Sequence, residues 1–330
     1  MLHFVNESTT YIKHHPIFLK FKPWEGKISS DFVVNFLGIR MRKEFIINFT
    51  PKPPLIPEEN FIITEHPDFN HSYFENISLL NAVVNAKDKF IMIELGAGIG
   101  HQSVQAAGAI RAYHGERFPF KLTAVEGEPT TFKWMDIHFK DNNIDPTKHQ
   151  LIEAVVSDKD GSVLFEVGFP QGYGSFVVSP FRFITNPARS VYRFLKRKYK
   201  QLKGHKLVPT DFWTGSKGLG IYTKKCKSIS LNSILRDFES VDYLHIDIFE
   251  QEVQVLKPAI ELLTKKVKLI QIETHTTKAE EELMKIFSTN GWNCVDDFPM
   301  GKMRKTEYGT FDFIDGVQTW INSSLDASVR

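Results

Sequence analysis

The glycines that follow an apolar stretch near residue 95 are the first residues whose types and spacing suggest chemistry. Ile91-Met-Ile-Glu-Leu95 leads into Gly96-Ala-Gly-Ile-Gly100, so the acidic Glu94 lies two residues before the first glycine. Glycine is required where the backbone turns sharply and lies against a ligand that a Cβ atom would push away. A tight turn that binds nothing would use the same residues, so the glycines alone do not establish a binding site.

A second acidic residue indicates the class of ligand. Glu126 follows the apolar run Thr123-Ala-Val125, where its carboxylate can accept the protons of both ribose hydroxyls. The glycine spacing differs from the Gly-x-Gly-x-x-Gly pattern of dinucleotide-binding proteins. An acid before the turn suits the cationic S-adenosylmethionine, which has no pyrophosphate. We therefore predict an S-adenosyl-L-methionine site formed by Glu94, Gly96, Gly98, Gly100 and Glu126.

Three polar side chains follow two later strands and could act on a methyl acceptor. Asp247 lies at the end of one strand, and Glu273 and His275 lie two residues apart at the end of the next, where they point to the same face. Ligands of open α/β sheets bind at this edge. Two hypotheses remain open: His275 is a base that a carboxylate orients, or the trio binds a divalent metal such as Mg²⁺. The alternative is that Glu273 and His275 only cap the strand.

The elements that must position these residues alternate between strands and helices. The pattern predicts strands at Phe90–Leu95, Lys121–Val125, Gln150–Ser157, Ser162–Val167, Asp242–Ile248, Val267–Glu273, Asn293–Phe298 and Thr310–Ile314. It predicts helices at Glu75–Ala86, Gln102–Tyr113, Thr130–Asp141, Leu231–Asp237, Gln251–Leu263 and Ala279–Thr289. Strands separated by helices form βαβ units, so we predict an α/β fold with a mostly parallel sheet.

Composition gives few further restrictions. The 330 residues have a formal net charge of +2, which offers no overall field for nucleic acid. Two cysteines cannot form a disulfide framework in so long a chain. We find no signal peptide or membrane span in the sequence, and the expected location is cytoplasmic.

Residues 1–60 and 168–226 differ from the rest of the chain. The first segment has short apolar runs and ends in the proline-rich Pro51–Pro57, which predicts a β-rich appendage and a linker before a methyltransferase domain at 61–330. From Val167 to Thr210 there are nine Lys and Arg residues and no acid. We predict a lid with a basic amphipathic helix at 187–206. It could contact an anionic membrane surface, bind a phosphorylated acceptor, or be a solvated face.

Four segments, taken in order, resemble the FkbM-type methyltransferases, which methylate oxygen atoms largely of sugars and polyketide-like natural products. These segments are Ile93-Glu-Leu-Gly-Ala-Gly-Ile-Gly100, Ala124-Val-Glu-Gly-Glu-Pro129, Ala154-Val-Val-Ser-Asp-Lys-Asp-Gly161 and Val241-Asp-Tyr-Leu-His-Ile-Asp-Ile248. The resemblance covers about Leu80–Phe298. It implies a Rossmann-like class I methyltransferase sheet of seven strands, with Asp158 near the adenine and Asp247 facing the reaction centre.

The chain departs from the family pattern at two places. The family usually has Asn at the position of Gly98. After the Asp at position 247 it usually has a small hydrophobic residue, then Glu or Gln, then Gly, whereas this chain has Ile248-Phe249-Glu250. Glu252 matches a later Glu of the family.

These observations predict an S-adenosylmethionine-dependent O-methyltransferase that acts on a hydroxyl of a sugar, glycan precursor or related natural product. The alternatives are an RNA ribose methyltransferase and a non-catalytic binding protein on a methyltransferase fold. Base methylation is disfavoured, because Asp247 is followed by no proline and neither Cys226 nor Cys294 follows one.

Overall fold

The computed structural model describes residues 10–46, 60–168 and 222–325. Its centre is a seven-stranded sheet in which every neighbouring pair is parallel except for the two pairs that involve the strand Gly316–Asn322. In spatial order the strands are β14 (Trp292–Phe298), β17 (Gly316–Asn322), β13 (Val267–Thr274), β12 (Val241–Ile246), β6 (Phe90–Leu95), β7 (Phe120–Glu126) and β8 (Gln150–Glu153). This order confirms the predicted fold class.

Eight α-helices are present in the described residues. They are α1 (Lys43–Ile46), α2 (His71–Asn85), α3 (His101–His114), α4 (Pro129–Asp141), α5 (Leu231–Arg236), α6 (Glu252–Leu256), α7 (Ile260–Lys266) and α8 (Thr277–Thr289). The polar residues that precede them fix several of the starts. Asn70 accepts a hydrogen bond from the backbone of Tyr73, and Glu128 accepts one from Thr131 beside Pro129.

One predicted helix is interrupted. Where the periodicity predicts a single helix at Gln251–Leu263, the chain forms α6, a 3-10 turn at Lys257–Ala259, and then α7. Pro258 is the physical reason, because proline has no backbone N–H to donate and its ring clashes with the preceding turn of an α-helix.

The shorter strands form small sheets. They are β1 (Thr10–Tyr11), β2 (Glu25–Ile28), β3 (Phe32–Val34), β4 (Arg40–Arg42), β5 (Asn60–Ile63), β9 (Val155–Ser157), β10 (Gly161–Val167), β11 (Tyr222–Ser230), β15 (Lys302–Thr306) and β16 (Gly309–Phe313). β9 and β10 both pair with β11, and β1 and β15 both pair with β16. β2 pairs with β5, and β3 pairs with β4. The predicted strand Gln150–Ser157 is therefore two strands, since β8 and β9 belong to different sheets.

Two hydrophobic clusters cover the two faces of the central sheet. Phe90 and Met92 belong to one cluster, and Ile93 and Leu95 belong to the other, because successive residues of a strand point to opposite faces. Phe18, which lies in a 3-10 helix at Pro16–Lys20, is part of the first cluster. The N-terminal segment thus contributes to the core beside α2, and the domain boundary at residue 60 stays a prediction.

Some predictions fall on residues that are not described. The basic helix at 187–206, most of the insertion at 168–226 and the linker Pro51–Pro57 lie outside the described residues. Within the described part of the chain, no helix combines the length and the apolar composition needed to cross a membrane.

Candidate active site

The glycine turn lies between the end of β6 and the start of α3. Gly96, Gly98 and Gly100 have φ angles of +72°, +55° and +73°, in the left-handed region that favours glycine. A Cβ atom on Gly96 would overlap the backbone carbonyl oxygen of Asp247, whereas one on Gly98 would meet nothing within 4 Å. The turn therefore packs tightly against the end of β12 on one side and is open at Gly98 on the other.

Glu94 holds the turn against the beginning of α3. Its two carboxylate oxygens accept hydrogen bonds from the backbone N–H groups of Gln102 and Ser103, at 3.0 and 2.9 Å, and from the Ser103 hydroxyl. Burial raises the pKa of Glu94 to about 7, against the opposing effect of these hydrogen bonds. The Glu94 carboxylate thus accepts hydrogen bonds from the first N–H groups of α3, and its contact with a cofactor stays a prediction.

Glu126 lies at the end of β7 and bonds directly to the glycine turn. One carboxylate oxygen accepts a hydrogen bond from the Gly98 N–H at 2.8 Å, and the other accepts one from the Glu128 N–H at 2.6 Å. Burial raises the pKa of Glu126 to about 7. A carboxylate has about four lone-pair sites, so two backbone donors leave capacity for ribose hydroxyls.

Asp158 is the predicted cofactor residue that stands apart from this network. It follows β9, and its carboxylate accepts a hydrogen bond from the Ser157 hydroxyl at 3.0 Å. Its role near the adenine stays a prediction.

The trio of Asp247, Glu273 and His275 comes together at the same edge of the sheet. One donor atom from each of the three residues lies within 4.8 Å of the other two. The structure therefore assembles the three residues as their positions on neighbouring strands predict, and their catalytic role stays a prediction.

Two carboxylates bracket the imidazole of His275. Its Nδ1 lies 2.7 Å from Glu252 Oε1, and its Nε2 lies 3.4 Å from Asp247 Oδ1. Burial opposes the charged imidazole, but the hydrogen bond to Glu252 and the charges of Asp247, Glu252 and Glu273 raise the pKa of His275 to about 10. These carboxylates therefore favour the protonated imidazole, and the role of His275 as a base that a carboxylate orients stays a prediction.

Glu273 is buried beside these groups. Burial raises its pKa well above the ordinary value, and the nearby charge of Asp247 adds to this, while His275 and a side-chain hydrogen bond with Glu75 oppose it. The sequence reasoning missed Glu75, although one signal was present. This acid lies four residues before Leu79 on the apolar face of α2, where an unpaired charge would be costly.

The loop after Asp247 contains two strained residues. Phe249 and Glu250 have φ angles of +42° and +65°, which non-glycine residues rarely adopt. The Phe249 ring lies 4.8 Å from the His275 ring, and the Glu250 N–H donates to Glu252 Oε1 at 2.9 Å. Glu250 stands where FkbM-type sequences usually have Gly, so the chain keeps a conformation that suits glycine without having the glycine.

No family model matches the chain, and no curated protein matches its sequence. Among solved structures, the chain is similar to precorrin-6y C5,15-methyltransferase from Geobacter metallireducens, with 11% identity, a TM-score of 0.38, and coverage of 83% of this chain and 93% of that one. It is also similar to methyltransferase FkbM from Methylobacillus flagellatus, with 12% identity, a TM-score of 0.39, and coverage of 70% and 44%. TYW2 from M. jannaschii, solved in complex with AdoMet, has 11% identity, a TM-score of 0.31, and coverage of 77% and 78%.

These similarities are distant, and the fold assignment depends on the strand order of the central sheet. This chain spans less than half of the length of the FkbM methyltransferase.

Proposed function

We propose that the chain is an S-adenosylmethionine-dependent O-methyltransferase that acts on a hydroxyl of a sugar, glycan precursor or related natural product. The observation that supports this most is the junction of three strand ends. Gly96 packs on the Asp247 carbonyl, Gly98 bonds to Glu126, and Asp247 faces His275. A binding turn and a charged reaction centre therefore meet at the carboxyl edge of the sheet, where ligands of open α/β folds bind.

The start of α3 favours this cofactor over a dinucleotide. Dinucleotide-binding folds place a pyrophosphate on the free N–H groups at a helix N-terminus. Here the carboxylate of Glu94 already accepts hydrogen bonds from Gln102 and Ser103 at that position. An incoming pyrophosphate would have to displace a buried carboxylate and would meet its negative charge.

The open side of the turn suits an adenosyl ligand. A side-chain-free surface at Gly98 lets a ligand approach the backbone, and Glu126 beside it retains acceptor capacity for ribose hydroxyls. When bound, S-adenosylmethionine supplies an electrophilic methyl group on a sulfonium.

Asp247 is the best placed of the trio to take the proton of an acceptor hydroxyl. Its side chain is 30% exposed, whereas the side chain of His275 is 4% exposed. His275 holds a proton already, so we assign it to orienting the Asp247 carboxylate and compensating its charge. In this scheme Asp247 would accept the proton of the acceptor hydroxyl as its oxygen takes up the methyl group, which S-adenosylmethionine would supply.

A divalent cation such as Mg²⁺ is the second hypothesis for the same residues, and the donor set fits one. Two carboxylates and an imidazole lie together, and Glu252 accepts the Nδ1 proton of His275, so an ion would take the place of the proton on Nε2. Asp247, Glu273 and His275 would hold the ion, which would lower the pKa of the acceptor hydroxyl. Adding EDTA to the purified chain separates the two hypotheses, since only the metal-dependent reaction stops.

The acceptor proposal depends on the basic segment as well as on the family resemblance. Arg189, Arg193 and Arg197 recur at four-residue intervals in the sequence and could hold the phosphate of a glycan precursor. Replacing all three with Gln should raise the Michaelis constant for a phosphorylated acceptor and leave affinity for S-adenosylhomocysteine unchanged. An unchanged Michaelis constant would remove the phosphate from the proposal.

The decisive experiment is calorimetric titration of the full chain. We expect S-adenosylmethionine and S-adenosylhomocysteine to bind, and NAD to show no saturable heat. Transfer of labelled methyl groups to a panel of sugars and sugar phosphates then tests the acceptor class. Binding of NAD without S-adenosylmethionine would refute the proposal, and binding without transfer to any hydroxyl would favour the non-catalytic alternative.

A further inference from the structure

Glu75 is a buried acid that contacts both halves of the candidate site. It lies on α2, and the Nε2 of Gln102 donates a hydrogen bond to its Oε2 at 2.8 Å. Its carboxyl group also forms a side-chain hydrogen bond with Glu273. Buried ionisable groups are costly unless they are paired, so these two contacts are what makes an acid tolerable at this position.

These contacts join the glycine turn to the trio through side chains. Glu94 accepts from the backbone of Gln102, the Gln102 side chain donates to Glu75, and Glu75 bonds to Glu273. A carboxylate oxygen of Glu273 in turn lies within 4.8 Å of a donor atom of Asp247 and of His275. A continuous series of buried hydrogen bonds therefore runs from β6 through α3 and α2 to the end of β13.

The hydrogen bond between Glu75 and Glu273 determines which substitutions at position 75 can keep it and which must remove it. Two carboxyl groups can share a hydrogen bond only if one of them carries a proton, because a carboxylate has no donor. Glutamine at position 75 would supply an N–H to Glu273 and a carbonyl oxygen to Gln102, so it can preserve both bonds. Leucine has a similar volume and can form neither.

We propose that Glu75 is a positioning residue, which fixes Glu273 and its two partners relative to the glycine turn. This inference rests on the proposed function, since the turn must hold the methyl donor for the distance to matter. Displacement of a reacting group by about 1 Å can reduce a rate about 10²-fold, so a residue outside the reaction centre can control it.

Asn76 provides a matched control on the same helix. It is the next residue, it is also buried, and its Oδ1 accepts a hydrogen bond from the Nε2 of Gln105 at 3.1 Å, again from a glutamine of α3. Asn76→Leu therefore removes an equivalent buried bond between the same two helices, without removing a bond to Glu273.

The test uses the full chain labelled with ¹⁵N-histidine, and His275→Gln assigns the His275 imidazole signals. In wild type and in Asn76→Leu, adding S-adenosylhomocysteine should shift these signals. Glu75→Leu should bind S-adenosylhomocysteine within about threefold of wild type by calorimetry, yet lose most of the His275 shift. Glu75→Gln should restore the shift. If Glu75→Leu does not fold, Gln102→Met cuts the other bond of Glu75 and should cause the same loss.

The outcomes separate this inference from the function on which it rests. An undiminished His275 shift in Glu75→Leu or Gln102→Met would overturn the positioning role, and so would an equal loss in Asn76→Leu. Failure of the wild-type chain to bind S-adenosylhomocysteine would instead refute the proposed function. In that case the His275 signals without ligand still test the positioning role of Glu75. They should differ from wild type in Glu75→Leu and match wild type in Asn76→Leu.

Discussion

The two halves of the candidate site are built differently, although they share one edge of the sheet. On the cofactor side, Glu94 and Glu126 bond to backbone N–H groups, and the left-handed positions are glycines. On the reaction side, ionisable side chains bond to one another, and the left-handed positions are Phe249 and Glu250. Backbone groups and glycines therefore make up the first half, whereas charged side chains and two strained residues make up the second.

Under the proposed function, we expect this difference to separate binding from chemistry. A surface of backbone groups is fixed by the fold, so it can bind a ligand with little rearrangement. A cluster of mutually bonded carboxylates and an imidazole holds charge in a buried place, which suits proton transfer or metal binding. We therefore expect substitutions on the cofactor side to change stability and affinity, and those on the reaction side to change turnover.

The largest effect on the cofactor side is expected from Gly96→Ala. The new Cβ would overlap the Asp247 carbonyl and the residue would be strained at φ +72°, so the free energy of unfolding should fall by about 3 kcal/mol or more. Gly291→Ala is the control, because Gly291 also has a positive φ, +79°, but its Cβ would meet nothing within 4 Å. Urea denaturation measures both, and equal losses would contradict the close approach at Gly96.

On the reaction side, Asp247→Asn should lower turnover about 10²-fold or more, because the proton acceptor or metal ligand is lost. The affinity for S-adenosylhomocysteine should stay close to wild type. Asp242→Asn is the control, since Asp242 lies near the opposite end of the same strand and pairs with Lys268. Normal methyl transfer by Asp247→Asn would remove Asp247 from the mechanism.

Glu126→Ala should weaken S-adenosylhomocysteine binding by about 1.5–3 kcal/mol, the usual contribution of hydrogen bonds to a charged group. Glu153→Ala, on the strand position paired with Glu126, is the exposed control and should bind normally. Calorimetry that finds the same affinity in Glu126→Ala would refute the ribose assignment.

The pH dependence of this binding follows from the same residue. Because burial raises the pKa of Glu126 to about 7, the folded chain holds a proton there at pH 6 and loses it towards pH 8. The carboxylate accepts ribose hydroxyl protons better than the neutral acid does, so affinity should rise across this interval. Glu126→Gln cannot ionise and should show a flatter profile, measured by calorimetry at pH 6, 7 and 8. If the affinity of Glu126→Gln rises with pH as steeply as that of wild type, another group causes the pH dependence.

Much of the sheet could be predicted from the sequence because its parallel strands are short apolar runs between helical patterns. The strand Phe90–Leu95 was predicted with the bounds that the structure has. β17 was missed, although Val317 and Trp320 are buried in the core. Its polar Gln318 and Thr319 are also buried, so the apolar pattern is broken by residues whose partners are distant in the chain.

The candidate site was predictable in its residues but less so in its contacts. Strand ends place Asp247, Glu273 and His275 together by topology alone. The partners of this trio come from α2 and α6, so sequence spacing does not reveal that Glu75 and Glu252 bond to it. The charge state of His275 depends on those partners, so sequence spacing does not predict it either.

The smallest expected effect tests the strain on the reaction side. Glu250→Gly should raise the free energy of unfolding by about 0.5–1 kcal/mol, because relief of a left-handed residue exceeds the added entropy of the unfolded chain. Asn143→Gly is the control, since Asn143 has a φ of +56° but asparagine tolerates this region, and it should gain nothing. Urea denaturation gives both values. A loss of stability in Glu250→Gly would mean that the side-chain contacts of Glu250 outweigh its backbone strain, and the two halves of the site would then differ in charge alone.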